Sequence, residues 1–224
     1  MRLAIFDVDG TLVDSQGAIL AAMGASFAAQ GLAVPGRAEV LGIVGLSLDR
    51  AIWQLAPEAA PDQRAALVEG YKAAYHAQRQ AEGAEVGSPL YPGAMAALEA
   101  LAGMPDVVLG VATGKSRRGL EALLAAHDLQ RFFVTVQVAD DHPSKPHPSM
   151  IHAALSETGV EAARAIMIGD TRFDMEMAQA AGVPALGVAW GYHPAAHLEP
   201  LAAGVIGDFA DLPGVLERIW ETRV

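Results

Sequence analysis

Apolar and polar positions follow two different rhythms along this chain, and the change of rhythm divides it. Residues 3–6, Leu-Ala-Ile-Phe, are apolar throughout and read as a strand covered on both faces. From residue 15 to residue 87 only helical spacing is found. Ser15 is placed to cap a helix reaching about Gln30, with Gly31 as its stop. A second helix begins near Ser47, presents Leu48, Ile52, Trp53 and Leu55 as its apolar face, and ends at Pro57. A third, over 62–80, turns Leu67, Val68, Tyr71 and Tyr75 inward. Trp53, Tyr71 and Tyr75 are therefore expected in the core of this helical segment. Residues 82–89 are rich in turn formers and read as a return linker.

Beyond Pro92-Gly93 the rhythm alternates. Helices are expected over 94–102, 117–126, 149–157, 174–181 and 212–221, and strands over 107–112, 134–138, 165–168, 185–188 and 205–206. Apolar strands separated by amphipathic helices predict an α/β fold, a doubly wound parallel sheet, with a small all-helical unit inserted after the first strand. The expected division is a core of residues 1–14 and 88–224 and a helical domain of 15–87.

Composition narrows the function. A chain of 224 residues buries roughly 70 to 75% of its unfolded surface, enough for one core and a satellite. Although 52% of the residues are hydrophobic, no apolar run approaches the roughly 20 residues of a membrane span, and residues 1–14 do not read as a signal segment. A soluble cytoplasmic protein, monomer or homodimer, is expected. The absence of cysteine removes thiolate chemistry and cysteine-bound zinc. A net charge of -11 disfavours nucleic acid as a partner, so an anionic ligand needs a local positive site. Lysine is scarce, with only Lys72, Lys115 and Lys145. Lys115 and Arg117 read as surface charges at a helix start.

Two carboxylates one residue apart, Asp7 and Asp9, follow the first strand directly. An ionised carboxylate costs several kcal/mol to bury unless it is paired or binds a metal. Other polar groups belong to the same sheet edge: Thr113-Gly114 after the second strand, Asp170 after the fourth, and Lys145 in a proline-rich loop. The carboxyl edge of an open parallel sheet is where ligands bind.

In order, Asp7-x-Asp9-Gly10-Thr11-Leu12-Val13-Asp14-Ser15, Thr113-Gly114, Lys145-Pro146 and Gly169-Asp170-Thr171-x-x-Asp174 resemble the four motifs of the haloacid dehalogenase-like hydrolase superfamily. The closest likeness is to the phosphoglycolate phosphatase type with a helical cap. That resemblance implies a Mg²⁺-dependent phosphomonoesterase acting on a small phosphorylated metabolite. Asp7 would be the nucleophile, Asp9 the general acid and base, and Thr113, Gly114 and Lys145 the groups that hold the phosphoryl oxygens. The Asp7 carboxylate, the Asp9 carbonyl and Asp170 would ligate the metal, with Asp174 on a metal-bound water or steadying Lys145. The loop 42–47, through Gly45 and Ser47, and Arg50 would read the substrate, Arg50 by pairing with a second anionic group. A metal-free dehalogenase is disfavoured by Asp9, and a Schiff-base phosphonatase by a 42–50 loop without lysine. A β-phosphoglucomutase-like transfer and a non-enzymatic Mg²⁺-binding phosphoacceptor remain as alternatives.

Overall fold

The computed structural model describes residues 1–222. Its centre is a six-stranded, all-parallel sheet of order β3-β2-β1-β4-β5-β6. The strands are β1 (Arg2–Phe6), β2 (Val107–Thr113), β3 (Phe133–Val138), β4 (Ala165–Gly169), β5 (Ala185–Val188) and β6 (Gly204–Ile206). The chain winds outward from β1 to β3, then returns to the other side of β1 for β4 to β6. The crevice at that reversal is where this class of sheet binds ligands.

The apolar runs are strands because both of their faces are covered. Ala4 and Phe6 of β1, with Ile166 and Ile168 of β4, point into one cluster. Leu3 and Ile5, with Ala165 and Met167, point into the opposite one. The helices follow the chain as α1 (Gln16–Ala29), α2 (Arg37–Leu41), α3 (Leu48–Leu55), α4 (Pro61–Glu82), α5 (Ala84–Gly87), α6 (Ala94–Ala102), α7 (Arg117–Ala126), α8 (Ser149–Thr158), α9 (Arg172–Ala180), α10 (Ala195–Leu198) and α11 (Leu212–Glu221). The first sheet face is covered by Leu98 of α6, Leu120 of α7 and Leu216 of α11, and the second by Met150 of α8 and Met177 of α9.

Helices α1 to α4 carry a separate apolar cluster that includes Met23, Phe27, Ile52 and Leu67. The segment leaves and re-enters the sheet side by side: Asp14 N donates to Pro89 O at 2.9 Å, and Tyr91 N to Leu12 O at 3.0 Å. A smaller cluster of Ile43, Leu46 and Ala51 against Phe173 of α9 seats the segment on the core.

Three local expectations are corrected. Trp53 is 47% exposed, because Leu48, Ile52 and Leu55 share one helical face and residue 53 lies about 100° round from Ile52. The linker over 82–89 contains the helical turn α5, and the stretch between α1 and α3 contains α2. Ser15 stands at the start of α1, but its hydroxyl does not cap the helix; it is drawn to Asp9.

Candidate active site

Strands β1, β2 and β4 are neighbours, so the residues just past their carboxyl ends converge. After β1 the backbone folds back tightly, with Leu12 N and Val13 N both donating to Val8 O at 2.9 and 3.1 Å. Gly10 takes φ +83 in this turn, and a Cβ there would lie 2.2 Å from Asp170 Oδ2. Only glycine lets the first loop approach the Asp170 carboxylate so closely. Gly191, arriving from the loop after β5, is constrained in the same way, its Cβ position lying 2.1 Å from Asp170 Cβ.

Asp7, Asp170 and Asp174 are buried together, each with a carboxylate oxygen within 4.8 Å of the others. Lys145 is buried among them, its Nζ 2.6 Å from Asp174 Oδ1 and 3.1 Å from Asp7 Oδ1. Asp174 is fully engaged: its Oδ2 accepts from Thr171 N at 3.0 Å and Thr171 Oγ1 at 2.7 Å, which also caps α9. Asp170 accepts from Thr11 Oγ1 at 2.9 Å and Tyr192 N at 2.8 Å. Asp7 differs from both. Its Oδ1 meets only the Lys145 ammonium, as an ion pair, and its Oδ2 has no hydrogen-bond or ion-pair partner among the described residues.

The electrostatics follow from burial. Desolvation pushes the Asp7 carboxyl up to about 7, with the Lys145 charge opposing and the Asp174 charge adding to it. Burial, then repulsion from Asp7 and Asp174, raises Asp170 well above the carboxylate range. Burial would lower Lys145, but Asp174 and Asp7 outweigh it and hold the ammonium charged. Three carboxylates thus face one ammonium, and one of them, Asp7, has an oxygen with neither a hydrogen bond nor an ion pair. This donor set fits a hard divalent cation that takes oxygen ligands.

Asp9 lies above this group, at the base of a cavity of about 290 Å³ between the sheet edge and the helical segment. Ser15 Oγ donates to Asp9 Oδ1 at 2.5 Å, and Lys115 Nζ donates to both carboxylate oxygens at 2.8 and 2.9 Å. Lys115 is therefore not the surface charge its position suggested; its side chain is 9% exposed, and its Nζ lies 5.2 Å from the Tyr75 ring centroid. Although burial opposes it, the Asp9 carboxylate raises its affinity for the proton.

Of the remaining expected residues, Asp7, Thr113, Gly114, Gly45 and Ser47 also line the cavity. Thr113 Oγ1 accepts from Lys115 N at 3.2 Å, which leaves its own proton to donate. Gly114 fits beneath the helical segment because it lacks a side chain: a Cβ would lie 2.5 Å from Gly45 O and 2.6 Å from Leu46 O. Arg50 is not brought to the site. It lies on the solvent side of α3 with its guanidinium 4.7 Å from the Trp53 ring centroid, away from the inward-facing Ala51 and Ile52. The basic side chains that do line the cavity are Lys115, Arg79, Arg118 and Lys72, with His76 beside them; of these Lys115 alone belongs to a motif region.

Comparison with known proteins identifies the family to which the chain is similar. The family described as haloacid dehalogenase-like hydrolase matches residues 4–188. A probable phosphatase, IndB, of Dickeya dadantii (strain 3937) is 37% identical over 223 residues, spanning 97% of this chain and 94% of that protein. A phosphoglycolate phosphatase of Yersinia pestis is 32% identical over 219 residues, spanning 95% and 91%. The crystal structure of a hydrolase from Pseudomonas syringae shares the fold with a TM-score of 0.85 at 26% identity, covering 98% of this chain and 99% of its own.

Proposed function

The chain belongs to the haloacid dehalogenase-like hydrolase family, and on that premise we propose that it is a Mg²⁺-dependent phosphatase that hydrolyses a small phosphorylated metabolite through a phosphorylated Asp7. The observation that carries this reading is Asp7 itself: a buried carboxylate paired on Oδ1 with Lys145 alone and without a hydrogen-bond or ion-pair partner on Oδ2 among the described residues, lining a cavity beside a second acid. A purely structural aspartate would be hydrogen-bonded. The relatives named phosphatase and phosphoglycolate phosphatase support the reaction class and make 2-phosphoglycolate the first substrate to test.

In the first step an Asp7 oxygen attacks phosphorus, and the bond from phosphorus to the ester oxygen breaks. For Asp9 to protonate the departing alkoxide, it must enter this step protonated and released from its pairing with Lys115. In the second step water attacks phosphorus, Asp9 takes up the proton, and orthophosphate leaves with Asp7 restored. The Thr113 hydroxyl and Gly114 N–H suit the phosphoryl oxygens, and Lys145, steadied by Asp174, offsets their charge. The Asp7 and Asp170 carboxylates and the Asp9 carbonyl would hold Mg²⁺, whose charge relieves the repulsion between an anionic nucleophile and an anionic ester. In this reading residues 15–87 form a cap, with its hinge at the paired segments around Asp14 and Pro89, that closes over the core and excludes bulk water.

The test is phosphate release from a panel of phosphomonoesters, including 2-phosphoglycolate and sugar phosphates, by wild-type protein and Asp7→Asn, with Mg²⁺ or EDTA. Release that needs Mg²⁺ and is absent in the variant is expected. Equal release by Asp7→Asn would reject Asp7 as the nucleophile.

A further inference from the structure

The same cavity is also lined by a second polar group, built by both parts of the molecule. Arg79 of α4 and Arg118 of α7 close on the two ring nitrogens of His76: Arg79 Nη2 lies 3.2 Å from Nδ1, and Arg118 Nη2 lies 3.2 Å from Nε2. A neutral imidazole has one acceptor nitrogen and one N–H. Whichever tautomer is present, one guanidinium N–H therefore meets another donor, and a protonated ring would face donors on both sides. The cluster is short of an acceptor for at least one of its two guanidinium groups.

Among the described residues no carboxylate pairs with either arginine, whereas the neighbouring Lys72 and Arg117 are paired with Glu69 and Asp141. Asp49 and Asp140 also line the cavity, and Asp140 is engaged by Arg117 N at 2.9 Å. In a chain of net charge -11, two arginines without carboxylate partners, lining the same cavity as Asp7 and Asp9, are a local positive site. Guanidinium groups present the forked donors that carboxylates and phosphates accept.

We infer that Arg79, His76 and Arg118 form a subsite for a second anionic group, a carboxylate or a phosphate, carried by the substrate at the end remote from the scissile ester. The substrate class is then a phosphomonoester with a terminal anion. Because one arginine comes from the helical segment and the other from the core, that anion also draws the two together. The inference rests on the phosphatase reading of the Asp7 end.

The test uses phosphomonoesters of matched chain length ending in carboxylate, phosphate or hydroxyl, with wild-type protein and the double variant Arg79→Met/Arg118→Met. Wild type is expected to favour at least one anionic series over the hydroxyl series by about tenfold or more in kcat/KM, mainly through KM, and the favoured series identifies the anion. The double variant is expected to lose that preference. A wild type that does not discriminate, or a variant impaired equally on all series, would overturn the subsite. If no ester is hydrolysed, the phosphatase reading fails separately, and the subsite is read from calorimetric binding of the carboxylate-ended ester to Asp7→Asn protein. Binding at least tenfold weaker when both arginines are replaced supports it; unchanged binding overturns it.

Discussion

At the scale of single residues, Asp7, the proposed nucleophile, carries a cost in stability that can be measured. Its carboxyl, ordinarily near 3.8, is held up to about 7 chiefly by burial, so between those values the folded protein binds a proton that the unfolded chain has released. The contribution of Asp7 to stability is thus full below about pH 4 and is lost as pH rises through about 7. In EDTA at pH 8, Asp7→Asn is predicted to melt at a higher temperature than wild type. Mg²⁺ should raise the melting temperature of wild type more at pH 8 than at pH 6, because the cation competes with the proton. Scanning fluorimetry at the two pH values measures both effects; a variant no more stable than wild type at pH 8 contradicts them. Asp7 and Asp9 were legible in the sequence because acids directly after an apolar strand need a reason. Lys115 was not, since its partner Asp9 is 106 positions away and a lysine before a helix looks solvated. The usable signal was scarcity, three lysines in the whole chain.

At the scale of elements, the loop after β5 locks the helical segment to the core through His193. The ring is buried, Nδ1 accepts from Arg172 N at 3.2 Å, and Nε2 therefore carries the proton that faces Gly42 O at 3.3 Å. Burial lowers its affinity for a second proton, against the opposing pull of the Gly42 carbonyl. With the folded value below 6.5, the stability it contributes is present above pH 6.5 and is lost as pH falls through the folded value. His193→Asn should therefore show a shallower decline of melting temperature with falling pH below 6.5 than wild type. Identical slopes would remove His193 from the account. Most strands and the longer helices were legible from apolar rhythm, because both sheet faces are covered and the helices have one buried side. The short turns α2, α5 and α10 were not, being too brief to display a period. Trp53 shows the opposite failure: adjacent to Ile52 in sequence, it stands about 100° round α3 from the buried face and is left exposed.

At the scale of the whole molecule, the helical segment and the sheet edge meet with no room to spare at Gly114. Its hydrogen faces the carbonyls of Gly45 and Leu46, and a methyl there would push residues 45–47 away from the site. Overpacking of this kind costs about 1–3 kcal/mol. If closure serves catalysis, Gly114→Ala lowers kcat/KM roughly tenfold, as that energy implies. Steady-state kinetics beside a melting curve checks this; unchanged kcat/KM would show that the contact is not needed for turnover. The insertion of helices between β1 and β2 could be read from the chain. The meeting of α4 with α7, which brings His76 to Arg118, could not, because it depends on how the segment seats against the core.

The central claim is that Asp7 accepts the phosphoryl group, and acid-quenched single turnover followed by borohydride reduction tests it most directly. Peptide mass spectrometry should then find phosphate on residue 7 before reduction and homoserine at that position after it, neither being seen in Asp7→Asn. Release of orthophosphate with residue 7 unmodified at every quench time, or modification at another residue, would contradict the account.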